Sequence, residues 1–198
     1  MTGLRERKKE QTRRRIAAAA LRLFAERGFD AVTINEIAEA AEVAKVTLFK
    51  YFPTKESLVL QGVGEEDLAG IVAARPPGQS PLEALRAHYR AFAAEPAAAV
   101  DRDALIVQMR VIFDSPALSS GANDLLYGQR QALARVLAED SDGLMAALMA
   151  AQITASLLTL QETFFRRLVS GASLEEAGHR LAGDVELAFD LLGHGINR

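Results

Sequence analysis

The chain has no cysteine. Disulfides and thiolate metal sites are therefore excluded, and nothing ties the protein to one redox compartment. Histidine is scarce, with His88, His179 and His194 only. Glu176 and His179 stand at the i,i+3 spacing of carboxylate-bridged di-iron bundles, but such a site needs a second copy and further glutamates from other helices. One copy reads as a solvated helix face. There is no Gly-rich phosphate loop and no nucleophile elbow. No enzyme, cofactor or metal is expected. The first residues, MTGLRERKKEQ, are basic and lack the apolar core of a signal peptide. No membrane span is expected, on the criterion of about 18 apolar residues unbroken by charge. Nothing reads as a strand, a repeat or a low-complexity segment. A cytoplasmic, all-α protein is expected.

What is present is a core and an uneven charge. The 198 residues are 49% hydrophobic, enough for a sizeable core in one or two domains. The formal net charge of −3 hides an asymmetry. Residues 1–55 hold 12 Lys and Arg against 7 Asp and Glu, net +5, and the remainder holds 11 against 19, net −8. A basic N-terminal segment on an acidic remainder orients a molecule toward phosphates. The competing reading is a solvated charge run.

The basic segment coincides with residues 33–52, TINEIAEAAEVAKVTLFKYF. Thr33 and Glu36 have the spacing of a capping box. Ile34, Ile37, Ala38 and Ala41 follow at helical spacing. A break at Glu42-Val43 precedes a second short helix, from about Ala44 to Phe52. Leu48 and Phe52 point inward from it, while Lys45, Thr47, Lys50 and Tyr51 point outward. Two short helices with a tight turn suit a major groove about 12 Å wide. The same pattern also fits an ordinary helical hairpin. Pro53 stops the second helix, Thr54 is a good cap for the next, and Lys55 would stand at a helix N-terminus, where free N–H groups attract anions. Upstream, Ile16, Ala20, Leu23 and Phe24 make an amphipathic helix ending at Gly28 and Phe29.

The run TRRRIAAAALRLFAERGFDAVTINEIAEAAEVAKVTLFKYFPTKESL closely resembles the N-terminal domain of the tetracycline-repressor (TetR) family. The resemblance covers residues 12–58, under a third of the chain, with its motifs in one order and spacing. It implies a three-helix DNA-binding domain, residues 1–54, with the helix-turn-helix at about 32–51. It also implies a C-terminal helical ligand-binding and dimerisation domain, residues 55–198, giving about nine helices in all. The implied partners are operator DNA, a second copy of the chain and a small-molecule effector. DNA contacts are expected from Thr33, Lys45, Val46, Thr47, Phe49, Lys50, Tyr51 and Lys55, the last as a phosphate clamp. The chain departs from the family at four positions. Glu42 replaces a usual turn Gly, where positive φ would strain it. Ala44 replaces a capping Ser, worth about 1 kcal/mol. Val46 replaces a frequent Gly and could touch a thymine methyl. Phe49 replaces a usual Tyr and loses a hydroxyl that would bond phosphate. A helical protein-interaction module, or an enzyme, without DNA binding is the alternative class.

Taken in order, residues 1–9 read as a frayed arm whose Arg5, Arg7, Lys8 and Lys9 either reach phosphate or stay solvated. Helices are expected over about 10–27, 55–74, 81–94, 100–113, 117–138, 144–169 and from 173, besides the short pair. Arg13, Arg14 and Arg15 would then oppose the dipole near a helix start. Pro96 separates the fifth and sixth helices. Gly62 and Gly64 fall in the middle of the fourth and make it a candidate pivot.

Two faces of the C-terminal half invite assignment. Ile153, Leu157, Leu160 and Phe164 form one stripe, and Leu181, Val185 and Leu192 another. They fit either a dimeric four-helix bundle or an internal core; the resemblance implies the dimer. Gln152, Ser156 and Thr159 form a polar stripe. With Tyr89, Phe92, Gln108, Met109 and Ile112 they are candidate ligand-binding residues for a small, largely apolar effector. Solvent exposure is the alternative for the polar stripe.

Overall fold

A computed structural model describes residues 3–94 and 101–195. Pro96, Val100 and the side chain of Arg5 lie outside what it describes. Among the described residues every element is helical: α1 Leu4–Arg27, α2 Ile34–Ala40, α3 Lys45–Tyr51, α4 Leu68–Ala73, α5 Pro81–Ala94, α6 Arg102–Asp114, α7 Pro116–Leu137, α8 Gly143–Val169 and α9 Leu174–His194. The all-α architecture with an N-terminal helix-turn-helix is as expected.

Local chemistry sets most boundaries. Thr33 Oγ1 accepts the Glu36 N–H at 3.3 Å and Glu36 Oε2 accepts the Thr33 N–H at 2.7 Å, so the capping box opens α2. Ser80 and Glu83 repeat it at α5, with 3.2 and 2.8 Å. Asp142 accepts the N–H groups of Leu144 and Met145 and opens α8. At α9 the Ser173–Glu176 spacing is also that of a capping box, and only half of it forms. Ser173 accepts the Glu176 N–H, while the Glu176 carboxylate turns to Arg180 at 2.8 Å.

Two elements differ from expectation. The arm is not frayed, since α1 starts at Leu4. No Gly or Pro interrupts residues 5–27, and Arg, Glu, Lys, Gln and Ala all favour helix. Arg13 to Arg15 are thus well inside α1, beyond the reach of its terminal dipole. The long fourth helix does not form. A 3-10 turn over Glu56–Leu58 gives way to irregular chain, and Asp67 caps the short α4 by accepting the Gly70 N–H at 2.8 Å. Gly62 and Gly64 adopt φ of 82° and 66°. These left-handed values end a helix instead of flexing one, so the pivot expectation is withdrawn.

The chain divides into two compact units, Met1–Val63 with Asp103–Asn123, and Gly64–Arg102 with Asp124–Arg198. The first has a continuous core of Ile16, Ala20, Phe24, Ile37, Leu48 and Phe52 joined by Val111, Ile112 and Leu118. Gln108 of α6 donates to the carbonyls of Val59 at 2.5 Å and Gln61 at 3.1 Å.

In the second unit α5 and α8 both pack on α9. Arg86 and Arg90 of α5 bind Glu186 of α9, and Arg167 of α8 binds Asp184. The two arginines hold the Glu186 carboxyl down at about 2. The expected dimer stripe is largely this unit's own core. Ile153, Leu160 and Val185 are buried, and Leu157, Leu181 and Leu192 pack against them. Phe164 is half-buried, edge-on to Phe165 at 5.8 Å. What α8 and α9 leave in solvent is a different set: Leu144, Leu148 and Leu158 on one, Leu187 and Leu191 on the other.

The expectation of no apolar span overlooked α8. Residues 143–161 carry no Asp, Glu, Lys or Arg, and the helix is long and apolar enough to cross a membrane by length and composition. Its Ala146, Ala150, Ile153, Leu160 and Leu168 instead lie buried in the protein.

Candidate nucleic-acid interface

The turn between α2 and α3 rests on Glu42, which takes φ 51°, the left-handed value expected there. This is the one non-Gly residue with positive φ among those described, and its strain is of order 1 kcal/mol. Ala44 caps α3 without a side-chain bond. Leu48 and Phe52 are fully buried and anchor α3 to α1 and α2. The anchoring turns the opposite side of α3 outward. Val46 is 70% exposed and Phe49 40%. Lys45 and Lys50 are exposed, and Thr47 and Tyr51 half-buried. This solvent face is polar, cationic and one short helix wide, with an apolar spot at Val46.

Thr33 caps α2. Its hydroxyl donates to Glu36 Oε2 at 2.7 Å, and Arg27 binds the other oxygen at 2.7 Å. The Thr33 hydroxyl, its N–H and Arg27 together pull the Glu36 carboxyl down to about 2. This carboxylate is therefore compensated within the domain.

Lys55 is not where a phosphate clamp should be. Its ammonium donates to the Phe29 carbonyl at 2.5 Å and sits 4.3 Å from the Phe29 ring centroid and 5.7 Å from that of Phe24. A cation held by a carbonyl and two aromatic faces stabilises the domain. The helix N-terminus that was to assist it is a single 3-10 turn.

Alongside lies a basic groove that brings the arm cations Arg7 and Lys9, read from the sequence as reaching phosphate or staying solvated, together with Arg13 and the end of α3. Arg7, Lys9, Arg13 and Arg14 of α1 and Lys50 and Tyr51 of α3 line an open space of about 790 Å³, together with Glu6 and Glu10. Arg14 pairs with Glu10 at 2.9 Å. Arg13 is fixed by two contacts: its guanidinium lies 5.6 Å from the Phe52 ring centroid, and Nε donates to Gln61 Oε1 at 3.2 Å. No carboxylate pairs with Arg7, Lys9 or Lys50 among the described residues. The sequence signal was the density of Arg and Lys in α1; what it lacked was the register of α1 against α3.

The expected ligand residues do not gather. Gln108 binds backbone carbonyls, and Met109 and Ile112 belong to the first unit's core. In the second unit Tyr89 lies 6.2 Å from Phe189 between ring centroids and edge-on to His88. Burial, then the Glu66 charge, raises its phenol far above the usual value. Ser156 is half-buried, whereas Phe92, Gln152 and Thr159 are exposed. The polar stripe of α8 is thus mainly a solvated face.

Residues 16–61 match the model of a family described as bacterial regulatory proteins, tetR family. The HTH-type transcriptional regulator TcmR of Streptomyces glaucescens is 40% identical over 91 residues, which cover 45% of this chain and 40% of that protein. The match therefore spans well under two thirds of TcmR. The putative mycofactocin biosynthesis transcriptional regulator MftR of Mycobacterium tuberculosis is 26% identical over 97% of this chain and 94% of its own. Among solved structures, Thermus thermophilus FadR, a TetR-family transcriptional repressor in complex with lauroyl-CoA, superposes with a TM-score of 0.52. It is 27% identical and covers 94% of this chain and 95% of its own.

Proposed function

The chain belongs to the TetR family of DNA-binding transcriptional regulators, and on that premise we propose that it is a repressor. It binds a near-palindromic operator as a homodimer and leaves the operator when a small, largely apolar effector binds. The division of labour is DNA binding by residues 1–54 and effector binding and dimerisation by residues 55–198. It is not an enzyme, and it works in the cytoplasm, where its DNA is.

The observation that carries the reading is the outward face of α3. Leu48 and Phe52 fix the helix from beneath, so Lys45, Val46, Thr47 and Lys50 are presented on a rigid element, as base reading requires. Phe49, Tyr51 and Thr33 flank them and meet the backbone. Lys55 keeps a role inside the domain. For dimerisation the apolar residues that face solvent, Leu144, Leu148, Leu158, Leu187 and Leu191, replace the buried stripe. A two-helix surface from each copy makes the four-helix bundle. Of the expected ligand residues Tyr89 is retained, because it combines an apolar setting with one hydroxyl. The lauroyl-CoA bound by the Thermus protein supports an apolar effector class.

Footprinting on the upstream region of the chain's own gene tests the reading. Two half-sites about one helical turn apart, or a multiple of that, are expected. A single asymmetric half-site with monomer stoichiometry would overturn it. An effector that releases DNA must bind more weakly, by the same factor, when operator is present.

A further inference from the structure

We infer that the groove between α1 and the end of α3 is a second DNA-contact site, holding the phosphodiester backbone beside the major groove that α3 enters. The inference rests on the regulator reading and deepens it. Three observations carry it. The cation that the sequence offers as a clamp, Lys55, is committed to the Phe29 carbonyl and two rings, so backbone charge must be met elsewhere. The groove supplies five cations, Arg7, Lys9, Arg13, Arg14 and Lys50, against two carboxylates, Glu6 and Glu10. Arg13 is already oriented by Phe52 and Gln61, and Lys50 belongs both to the groove and to the outward face of α3.

The geometry suits a backbone and not a base edge. Arg7 and Arg14 lie seven residues apart on one face of α1, roughly 10 Å along the helix axis. The element inside a major groove is flanked by phosphates, and the groove opens beside the C-terminal end of that element. One continuous helix from Leu4 to Arg27 sets the spacing of these cations, which a frayed arm would not. Cations near the start of α1 oppose its dipole; a bound anion offsets that cost. Each phosphate neutralised contributes about 0.9 to the salt slope on duplex DNA.

The experiment uses the full chain with two duplexes, the footprinted operator and a random sequence of equal length. The variant is Arg7→Gln with Lys9→Gln, both exposed and, among the described residues, unpaired with a carboxylate. The control is Lys8→Gln with Arg15→Gln, which removes the same charge from α1 outside the groove. The groove pair should weaken both duplexes alike, at least about tenfold near 150 mM salt, and lower the salt slope by about 2 per protomer, about 4 for the dimer. The control should change both quantities far less, and melting temperatures should be equal throughout. Groove and control variants with the same losses, or a groove variant that binds like wild type, would overturn the site while leaving the regulator reading intact. Wild-type protein that binds neither duplex would overturn both.

Discussion

The outer face of α3 and the outer faces of α8 and α9 both leave large side chains in water, but they differ in kind. Around α3 the exposed apolar residues are Val46 and Phe49, set among Lys45 and Lys50. On α8 and α9 they come in pairs one turn apart, Leu144 with Leu148 and Leu187 with Leu191. The first surface suits a charged, hydrated partner whose hold weakens with salt. The second suits a partner that removes it from water, since large apolar side chains exposed in number mark an interface. The charge of the two units runs the same way, net +3 for the first (13 Lys and Arg against 10 Asp and Glu) and net −6 for the second (10 against 16). The two compact units thus present solvent faces of unlike chemistry.

The largest expected break of this contrast is at the second surface. Leu148→Glu with Leu187→Glu should give a monomer by light scattering. Operator affinity should fall at least about 100-fold, because the second half-site no longer binds intramolecularly. A dimer that survives both charges would move the interface elsewhere. At the first surface, Lys50→Ala should change preference among operator variants by about 1–3 kcal/mol at one base position. A uniform loss across all sequences would make Lys50 a backbone contact alone.

Lys55→Met sharpens the contrast from inside the first unit. It should lower stability by about 1–2 kcal/mol in urea unfolding, as a carbonyl bond and aromatic contacts are lost. The salt slope of DNA binding should stay as it is, whereas a slope lower by about 1 would restore the clamp. Glu42→Gly should raise stability by about 1 kcal/mol by relieving the left-handed φ, read as a shifted urea midpoint with unchanged operator preference.

The smallest effects are on pH. The carboxyls of Glu36 in the first unit and Glu186 in the second are both held at about 2, below the ordinary 4.5. A depressed carboxyl stabilises the fold above its unfolded value, and that contribution fades as pH falls from about 4.5 toward 2. Glu36→Gln and Glu186→Gln should each flatten the acid limb of stability over that window. Unfolding followed against pH checks it, and an unaltered limb would mean that the bonds do not outlast solvent screening.

The sequence made local structure legible wherever local chemistry decides it. The capping box at Thr33, the stop at Gly28 and the strain at Glu42 all depend on neighbours within four residues. The outward and inward sides of α3 were legible for the same reason. Failures came where tertiary context decides. Helical spacing cannot say whether a stripe such as Ile153, Leu157 and Leu160 meets α9 or another copy. Gly62 and Gly64 read as weak helix residues, yet their backbone turns left-handed. Lys55 stood at an attractive position in the chain, and the rings of Phe24 and Phe29, more than 25 residues earlier, claimed it.

The discontinuous first unit bears on how the protein is made. Val111, Ile112 and Leu118 share a buried cluster with Ile16, Phe24 and Leu48, and Gln108 fastens the carbonyls of Val59 and Gln61. A nascent chain that has emerged only as far as Val63 still lacks that part of its core. At about 5–20 residues per second, the 60 residues from Val63 to Asn123 take roughly 3–12 s to synthesise. During that interval apolar surface waits uncovered on the ribosome. A graft cut after residue 54 would inherit the same exposed surface permanently, so exchanging DNA-binding heads between relatives should carry α6 and the start of α7 along.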